Sequence, residues 1–508
     1  MTGKVYLVGA GPGDPELVTR RGARRLAEAD LVLYDALVHP GVLEHCAPSA
    51  ERVFVGKRAG RAGARQAEIN RRLVEAARAG RIVVRLKGGD PFLFGRGSEE
   101  AEHLVAEGIP FEVVPGVSST MAATAYAGIS LTHRDLASSI AYVTATESPE
   151  KDASAHDWSK LATATQTLVI FMGARNLDSL MRLLVANGRA PTCPAAVVQW
   201  ASLPKQRTVV GTIADIAEKA HAADIGMPSL TIVGEVVRLR EHLRWYDKKP
   251  LFGKRVLVSR AAGQAHAFAR ALRDAGAEPV ELPAIRIVPP GDGAPLVRAV
   301  ARLGHHAWVL FTSENGVAAC FAELARQRKD ARAFGDARVG AIGPATAAAL
   351  FAHGIAADVV PAEHRGEGLA AEVIARHGGP LTGAAVLLAR AAVARDALPE
   401  LLTQAGARVD VVEAYRTLPP EESDLARLRA TVANREVDVV TFTSSSTVEH
   451  TVAALGADAA PLLAGLTVAS IGPITTETAQ RHGIRVDVSA ADYTTAGLVA
   501  ALERHFAT

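Results

Sequence analysis

The apolar run Arg81-Ile82-Val83-Val84-Arg85-Leu86 is cut off by Lys87-Gly88-Gly89-Asp90-Pro91, and this junction constrains the chain more than any other. β-Forming residues stopped by paired glycines, an acid and a proline describe a strand ending in a tight turn, whose backbone a ligand can approach closely. Beyond the turn, Phe92-Leu93-Phe94-Gly95-Arg96-Gly97 leads to Glu99-Glu100, which open a helix predicted to run through Ala101 to Glu107. A glycine loop, an acid and an arginine at the carboxyl end of a strand mark a small-molecule site in an α/β fold. An ordinary strand-to-helix turn has the same ingredients, so the neighbouring segments decide.

Those segments repeat the punctuation. Val5 to Val8 runs into Gly9-Ala10-Gly11-Pro12-Gly13-Asp14-Pro15, which departs from the dinucleotide pattern G-x-G-x-x-G because Asp14 holds the last glycine position. A helix is predicted from Leu17 to Ala29, basic on one side through Arg20, Arg21, Arg24 and Arg25. The strand Leu31 to Tyr34 ends at Asp35, and Val53-Phe54-Val55 ends at Gly56-Lys57-Arg58. Alternating strands and helices bring such ends to one edge of a parallel sheet.

Composition narrows the class. A chain of 508 residues holds two to four domains, taking about 150 residues each. A net charge of +2 argues against a protein that coats nucleic acid. Cys46, Cys193 and Cys320 lie far apart, which excludes a disulfide framework and a cysteine zinc site and fits a reducing, cytoplasmic location. A strand directly after Met1 leaves no room for a signal peptide, and no apolar run approaches the ~18 residues of a membrane span.

The motifs of the first half, Val5 to Asp14, Tyr34-Asp35, Gly56-Lys57-Arg58 and Arg85 to Phe92, resemble those of the tetrapyrrole (precorrin) methylases. Pro115-Gly116-Val117-Ser118-Ser119, Leu131-Thr132-His133-Arg134, Phe171-Met172-Gly173 and Met227-Pro228-Ser229-Leu230 continue the likeness in order, nearest to the uroporphyrinogen-III C-methyltransferases. The resemblance implies a two-domain methylase fold over residues 1–246, with subdomains of about 1–134 and 135–246. It implies S-adenosylmethionine as methyl donor, with S-adenosylhomocysteine as product and no metal. Donor contacts are implied at Pro12, Gly88, Gly89, Asp90, Leu93, Ser118, Ser119, Met172, Ala201 and Pro228. Asp35 and Lys57 match the family's proton acceptor and donor. Arg96, Glu99 and Arg134 match residues that handle the macrocycle, and Arg58 is a further partner for a substrate with eight carboxylates. One departure stands out: the family's usual Gly-His after the strand Ile140 to Thr144 is here Ala145-Thr146. The family usually forms homodimers.

Residues 247–253 (Asp247-Lys248-Lys249-Pro250-Leu251-Phe252-Gly253) read as a linker. Beyond it the chain repeats itself at a period of about 130 residues. Val256 to Arg260 returns as Val386 to Arg390, Phe311-Thr312-Ser313 as Phe442-Thr443-Ser444, and Ile342-Gly343-Pro344 as Ile471-Gly472-Pro473. Each copy alternates apolar strands with Ala-rich helices and is predicted to build its own parallel sheet. The hydroxyls at the strand ends are helix caps first, yet helix N-termini also receive carboxylates.

These motifs, with Glu413-Ala414-Tyr415-Arg416-Thr417, resemble the uroporphyrinogen-III synthases over residues 254–508. That likeness implies two α/β lobes, about 254–285 plus 418–508 and about 286–417, closing on hydroxymethylbilane. Tyr415 matches the candidate for assisting hydroxyl departure; Ser313, Thr346, Ser444 and Thr476 become substrate contacts. The expected function is cyclisation to uroporphyrinogen III followed by two methylations to precorrin-2, on the way to sirohaem or cobalamin. The partners are small tetrapyrroles, with no nucleic acid or membrane. Two alternatives stay open: a non-catalytic tetrapyrrole-sensing second half, or a methylase acting later in the corrin pathway.

Overall fold

A computed structural model describes residues 3–56, 66–145, 156–260, 262–393 and 396–507. Its contacts separate into two compact units, Met1–Lys254 with Ala275–Glu278, and Arg255–Asp274 with Pro279–Thr508. Lys57, Arg58 and Thr146 lie outside the described residues.

In the first unit, β1 (Lys4–Gly9), β2 (Leu31–Tyr34), β3 (Glu51–Phe54), β4 (Ile82–Lys87) and β5 (Phe111–Val114) form a sheet ordered β3-β2-β4-β1-β5. All its pairings are parallel. Both faces are covered, so the strands are apolar at successive positions. Val5, Leu7 and Leu33 join one core with Ile69, Leu73 and Leu104. Tyr6, Val8 and Leu86 join the opposite one with Leu26 and Val42. The helices are α1 (Arg20–Ala27), α2 (Gln66–Arg78), α3 (Gly97–Ala106) and α4 (Ser119–Ala127). α1 starts later than expected because Asp14 caps a short 3-10 turn at Pro15–Leu17, and Thr19 then caps the helix proper.

The second sheet takes β6 (Ile140–Thr144), β7 (Thr167–Phe171), β8 (Pro194–Gln199), β9 (Arg207–Thr212) and β10 (Ser229–Val233) in the order β6-β7-β10-β8-β9. Here only β6 and β7 pair in parallel. After β10 the chain passes through a 3-10 turn at Glu235–Leu239, one α turn at Arg240–Leu243 and another 3-10 turn at Tyr246–Lys248. The stretch read as linker is packed on this unit: Asp247 pairs with Arg240, Leu251 is buried, and the Phe252 ring meets Tyr246 at 5.3 Å.

The second unit contributes β11 (Arg255–Val258), β12 (Glu278–Glu281), β13 (Arg286–Val288), β14 (Trp308–Phe311), β15 (Arg338–Ala341), β16 (Ala385–Ala391), β17 (Arg408–Leu418), β18 (Val439–Phe442), β19 (Thr467–Ser470) and β20 (Val488–Ser489). One sheet runs β12-β11-β18-β19-β20, the other β13-β17-β16-β14-β15. The expectation that each repeat builds its own sheet is corrected here. The first copy gives β11 to one sheet and β14 and β15 to the other, and the second copy does the reverse with β16, β18 and β19. The chain crosses between lobes twice, and the outgoing and returning segments lie side by side. That is why β13 pairs antiparallel with β17, Arg286 opposite Leu418, in an otherwise parallel sheet.

Candidate active sites

Three backbone turns meet at the carboxyl edge of the first sheet. The loop after β1 and the loop after β4 form a two-residue ladder, with Gly89 N donating to Gly11 O at 2.7 Å and Gly11 N to Gly89 O at 3.3 Å. Asp90 braces this ladder against the turn after β5: its Oδ2 accepts from Gly116 N at 3.0 Å and its Oδ1 from Phe92 N at 2.8 Å. The turns touch so closely that a Cβ on Gly116 would stand 2.3 Å from Gly89 O, and one on Gly9 would stand 2.5 Å from Gly116 Cα. Gly89 itself has φ +68°, and a Cβ there would face the Ser119 amide at 3.6 Å. That amide opens α4, whose cap is Ser118. Bare backbone around a helix N-terminus is a surface that receives a polar, charged molecule closely, and the residues therefore fit the donor that the motifs imply.

The second subdomain closes on the same loops. Ser202 Oγ accepts from Asp14 N at 3.0 Å, while Tyr126 Oη, from α4 of the first subdomain, donates to Asp14 Oδ2 at 3.1 Å. A Cβ on Gly13 would lie 3.1 Å from Ala201 O. Trp200 N donates to Pro228 O at 3.3 Å, which sets Pro228 beside the Ala201 turn. Leu93 packs in one core with Phe171, Ala201 and Leu230, and Phe94 meets Phe171 at 4.7 Å between ring centroids. Five of the eight non-glycine residues with positive φ among the described residues fall here: Phe94, Arg96, Met172, Trp200 and Ser202. Such conformations collect at functional sites because the surrounding structure must hold them in place. Leu37, Phe92, Phe94, Met121 and Met172 leave an apolar rim exposed. Cavities of about 450 Å³ around Arg238 and Arg244, and of about 380 Å³ around Arg175 and His221, share none of these residues.

Thus Pro12, Gly88, Gly89, Asp90, Leu93, Ser118, Ser119, Met172, Ala201 and Pro228 lie on turns joined by contacts. Asp35 follows β2 at the same edge, its Oδ1 held 2.7 Å from Arg85 Nη2. Arg96 and Glu99 bind each other, Nε to Oε2 at 2.7 Å, so Glu99 serves first to orient the arginine. Arg134 is exposed in the turn at Thr132–Ala137 and is tied to none of these groups. What the motifs did not single out is the charge buried under Asp35 at Arg85, Lys87 and Glu100.

In the second unit a cavity of about 270 Å³ opens between the two sheets, lined by Ser313, Thr346, Tyr415 and Ser444 together with Arg260, Glu314 and Thr443. Tyr415 Oη and Ser313 Oγ are 3.0 Å apart. Ser313 and Ser444 each cap the helix that follows, through Gly316 N and Thr447 N. Thr476 does not line this cavity; its hydroxyl is 2.6 Å from Ser470 Oγ and donates to Gly472 O. Arg260, 3.0 Å from Glu314 Oε2, is the one Arg or Lys among the described lining residues.

Comparison with known proteins assigns both units. Residues 4–217 match the tetrapyrrole (corrin/porphyrin) methylases and residues 266–500 the uroporphyrinogen-III synthase HemD family. The porphyrin biosynthesis protein HemD of Ruminiclostridium josui is 38% identical over 489 residues, 96% of this chain and 95% of that protein. A Bacillus subtilis uroporphyrinogen-III C-methyltransferase is 42% identical over 65% of this chain and 68% of its own. A Pseudomonas fluorescens sirohaem synthase is 51% identical over 48% of this chain, which spans only 53% of that relative. The Thermus thermophilus uroporphyrin-III C-methyl transferase solved with S-adenyl homocysteine is 45% identical over 47% of this chain and 100% of its own, with a TM-score of 0.41. The chain belongs to the family of fused porphyrin-biosynthesis proteins in which a uroporphyrinogen-III C-methyltransferase domain precedes a uroporphyrinogen-III synthase domain.

Proposed function

We propose that the second unit closes hydroxymethylbilane to uroporphyrinogen III and that the first unit methylates this product twice, giving precorrin-2 for sirohaem or cobalamin synthesis. S-Adenosylmethionine supplies an electrophilic methyl group. The Gly88–Asp90 turn, Pro12, Ser118, Ser119, Leu93, Met172, Ala201 and Pro228 would hold it, with the α4 N-terminus suited to its carboxylate. Methyl transfer to a neutral macrocycle leaves positive charge that loss of a proton relieves, and Asp35 is proposed as the group that takes that proton. Lys57 is proposed as the matching donor, and Arg96, Arg58 and Arg134 as partners for peripheral carboxylates. The bilane must be held so that one end meets the other, which is chiefly a matter of orientation. The Tyr415–Ser313 pair at the cavity is proposed to assist the departing hydroxyl, with Thr346 and Ser444 as polar contacts. A homodimer, implied by the methylase resemblance, is read by sedimentation against the 53.2 kDa chain mass.

The observation that carries the reading is the convergence of the Gly9, Gly89 and Gly116 backbones beside Asp35. The test is full-length protein given hydroxymethylbilane with and without labelled S-adenosylmethionine. Uroporphyrinogen III without the donor, and two labelled methyls per macrocycle with it, support both halves. The type I isomer alone, with methyl transfer only to added uroporphyrinogen III, assigns the second unit a non-catalytic, tetrapyrrole-sensing role. No transfer to either macrocycle rejects the methylase reading.

A further inference from the structure

β4 carries Arg85 and Lys87 on the face that Val83 gives to the core, where a central strand of a covered parallel sheet ordinarily has Val, Ile or Leu. Both side chains are buried, and Glu100 reaches them from α3 with no exposure at all. One oxygen of Glu100, Oε1, receives Arg85 Nε at 3.1 Å, Lys87 Nζ at 3.1 Å and Gln66 Nε2 at 3.0 Å. The other, Oε2, is buried and has no hydrogen-bond partner among the described residues. Arg85 spends the rest of its fork on Leu33 O at 3.4 Å, Leu86 O at 3.3 Å and Asp35 Oδ1 at 2.7 Å. Lys87 Nζ stands 3.9 Å from Asp35 Oδ2. Burial, and then the neighbouring Arg85 charge, lower the Lys87 pKa. Two cations and two carboxylates thus balance, and only Asp35, with its side chain 29% exposed, reaches the surface.

A buried ion cluster is a poor way to stabilise a sheet, because desolvation offsets most of the attraction and apolar side chains of like volume do as well or better. What such a cluster supplies is fixed geometry. The Arg85 guanidinium is planar, held at several points and unable to turn, so the carboxylate it grips cannot turn either. We propose that Arg85, locked by Glu100 with Lys87 beside it, is the positioning residue for methyl transfer and aims the Asp35 carboxylate at the macrocycle. This rests on the reading of Asp35 as proton acceptor, and the test keeps the two apart.

The experiment uses the full chain, with uroporphyrinogen III as substrate and ring closure as an internal control. Asp35→Asn comes first: loss of methylation supports the base role, and full activity overturns that role and the inference with it. Arg85→Lys keeps the charge and removes the fork. Its expected result is a kcat lowered about 10- to 100-fold, as for a displacement near 1 Å, with donor Kd and substrate KM within about two-fold. Arg85→Gln combined with Glu100→Gln removes one charge of each sign, so no buried ion is left unpaired if the single variant fails to fold; the same kcat loss is expected. In the Asp35→Asn background either change should have no further effect on rate, because the two residues act as one unit. The inference is overturned if the Arg85 variants keep wild-type kcat, if kcat, donor affinity and melting temperature fall in step, or if the losses at Arg85 and Asp35 add.

Discussion

Gly116→Ala tests whether the meeting of three turns forms the donor site. Gly116 lies outside the left-handed region, so alanine suits its backbone, and the lower entropy of the unfolded chain favours alanine by about 0.4–1 kcal/mol. The new methyl would sit 2.3 Å from Gly89 O, 2.7 Å from Gly9 Cα and 2.9 Å from Gly9 C, against 3.4 Å where ordinary contact begins. All three atoms are backbone, and both loops are tied to strands of the central sheet, so the turns must part by about 1 Å. Overpacking of this kind costs about 1–3 kcal/mol, which outweighs the entropic gain. The net destabilisation of about 1–2 kcal/mol lowers the melting temperature of the first unit by roughly 2–8 °C. The functional effect is larger, because a 1 Å displacement of a binding loop is worth about 10²-fold in rate. Calorimetric titration with S-adenosylhomocysteine and a methylation assay measure it, with ring closure expected at the wild-type rate. Gly293→Ala is the control: it caps a helix in the second unit at φ −77° and a Cβ there meets nothing within 4 Å. Wild-type donor affinity and methylation in Gly116→Ala would refute the reasoning.

Tyr126→Phe removes the hydroxyl that binds Asp14 Oδ2 at 3.1 Å; differential scanning calorimetry should show a loss of about 1–2 kcal/mol, with weaker donor binding because Asp14 ends that loop. Tyr415→Phe should slow ring closure by about 10²-fold or more and leave methylation of uroporphyrinogen III unchanged, as read by isomer analysis. Burial pushes the Cys320 thiol from 9.0 up to about 12, and the Glu323 charge adds to the rise. The folded state holds that proton more tightly, so this stabilisation is complete below pH 9.0 and is lost as pH rises toward 12. Between about pH 8 and 10 the wild type should lose about 1.4 kcal/mol more than Cys320→Ala in denaturant titrations.

The strand-end logic was legible because it is local. A β-forming run followed by Gly-Gly-Asp-Pro announces both the turn and the absence of side chains that a ligand needs, and the structure brings Gly89 against Gly11 and Gly116. Capping was legible for the same reason, as Ser313 and Ser444 show. The buried charge was not. Arg85 and Lys87 look like the solvent-facing positions of an alternating strand and Glu100 like a first-turn acid that favours α3. Only the packing of α3 over β4 turns them into one cluster. Asp14 and Ser202, 188 residues apart, meet through the closure of two subdomains that no short window reports. The exchange of strands between the two repeats came from the family resemblance, whose lobes of about 254–285 plus 418–508 and about 286–417 imply it, and not from the residue pattern: each copy has the periodicity of a complete sheet, and the double crossing is a fact of topology. Arg260 lay in the open as the last residue of the repeated Val256 to Arg260 motif, and only the cavity singles it out.

The most direct measurement is a crystal structure of the full chain with S-adenosylhomocysteine. The ligand is expected against the Gly88–Asp90 turn and the Ser118–Ser119 helix start, with Met172 and Ala201 on its far side and the Asp35 carboxylate still gripped by Arg85. Ligand found in the second unit, or on the first unit away from the Gly9, Gly89 and Gly116 backbones, would contradict this expectation.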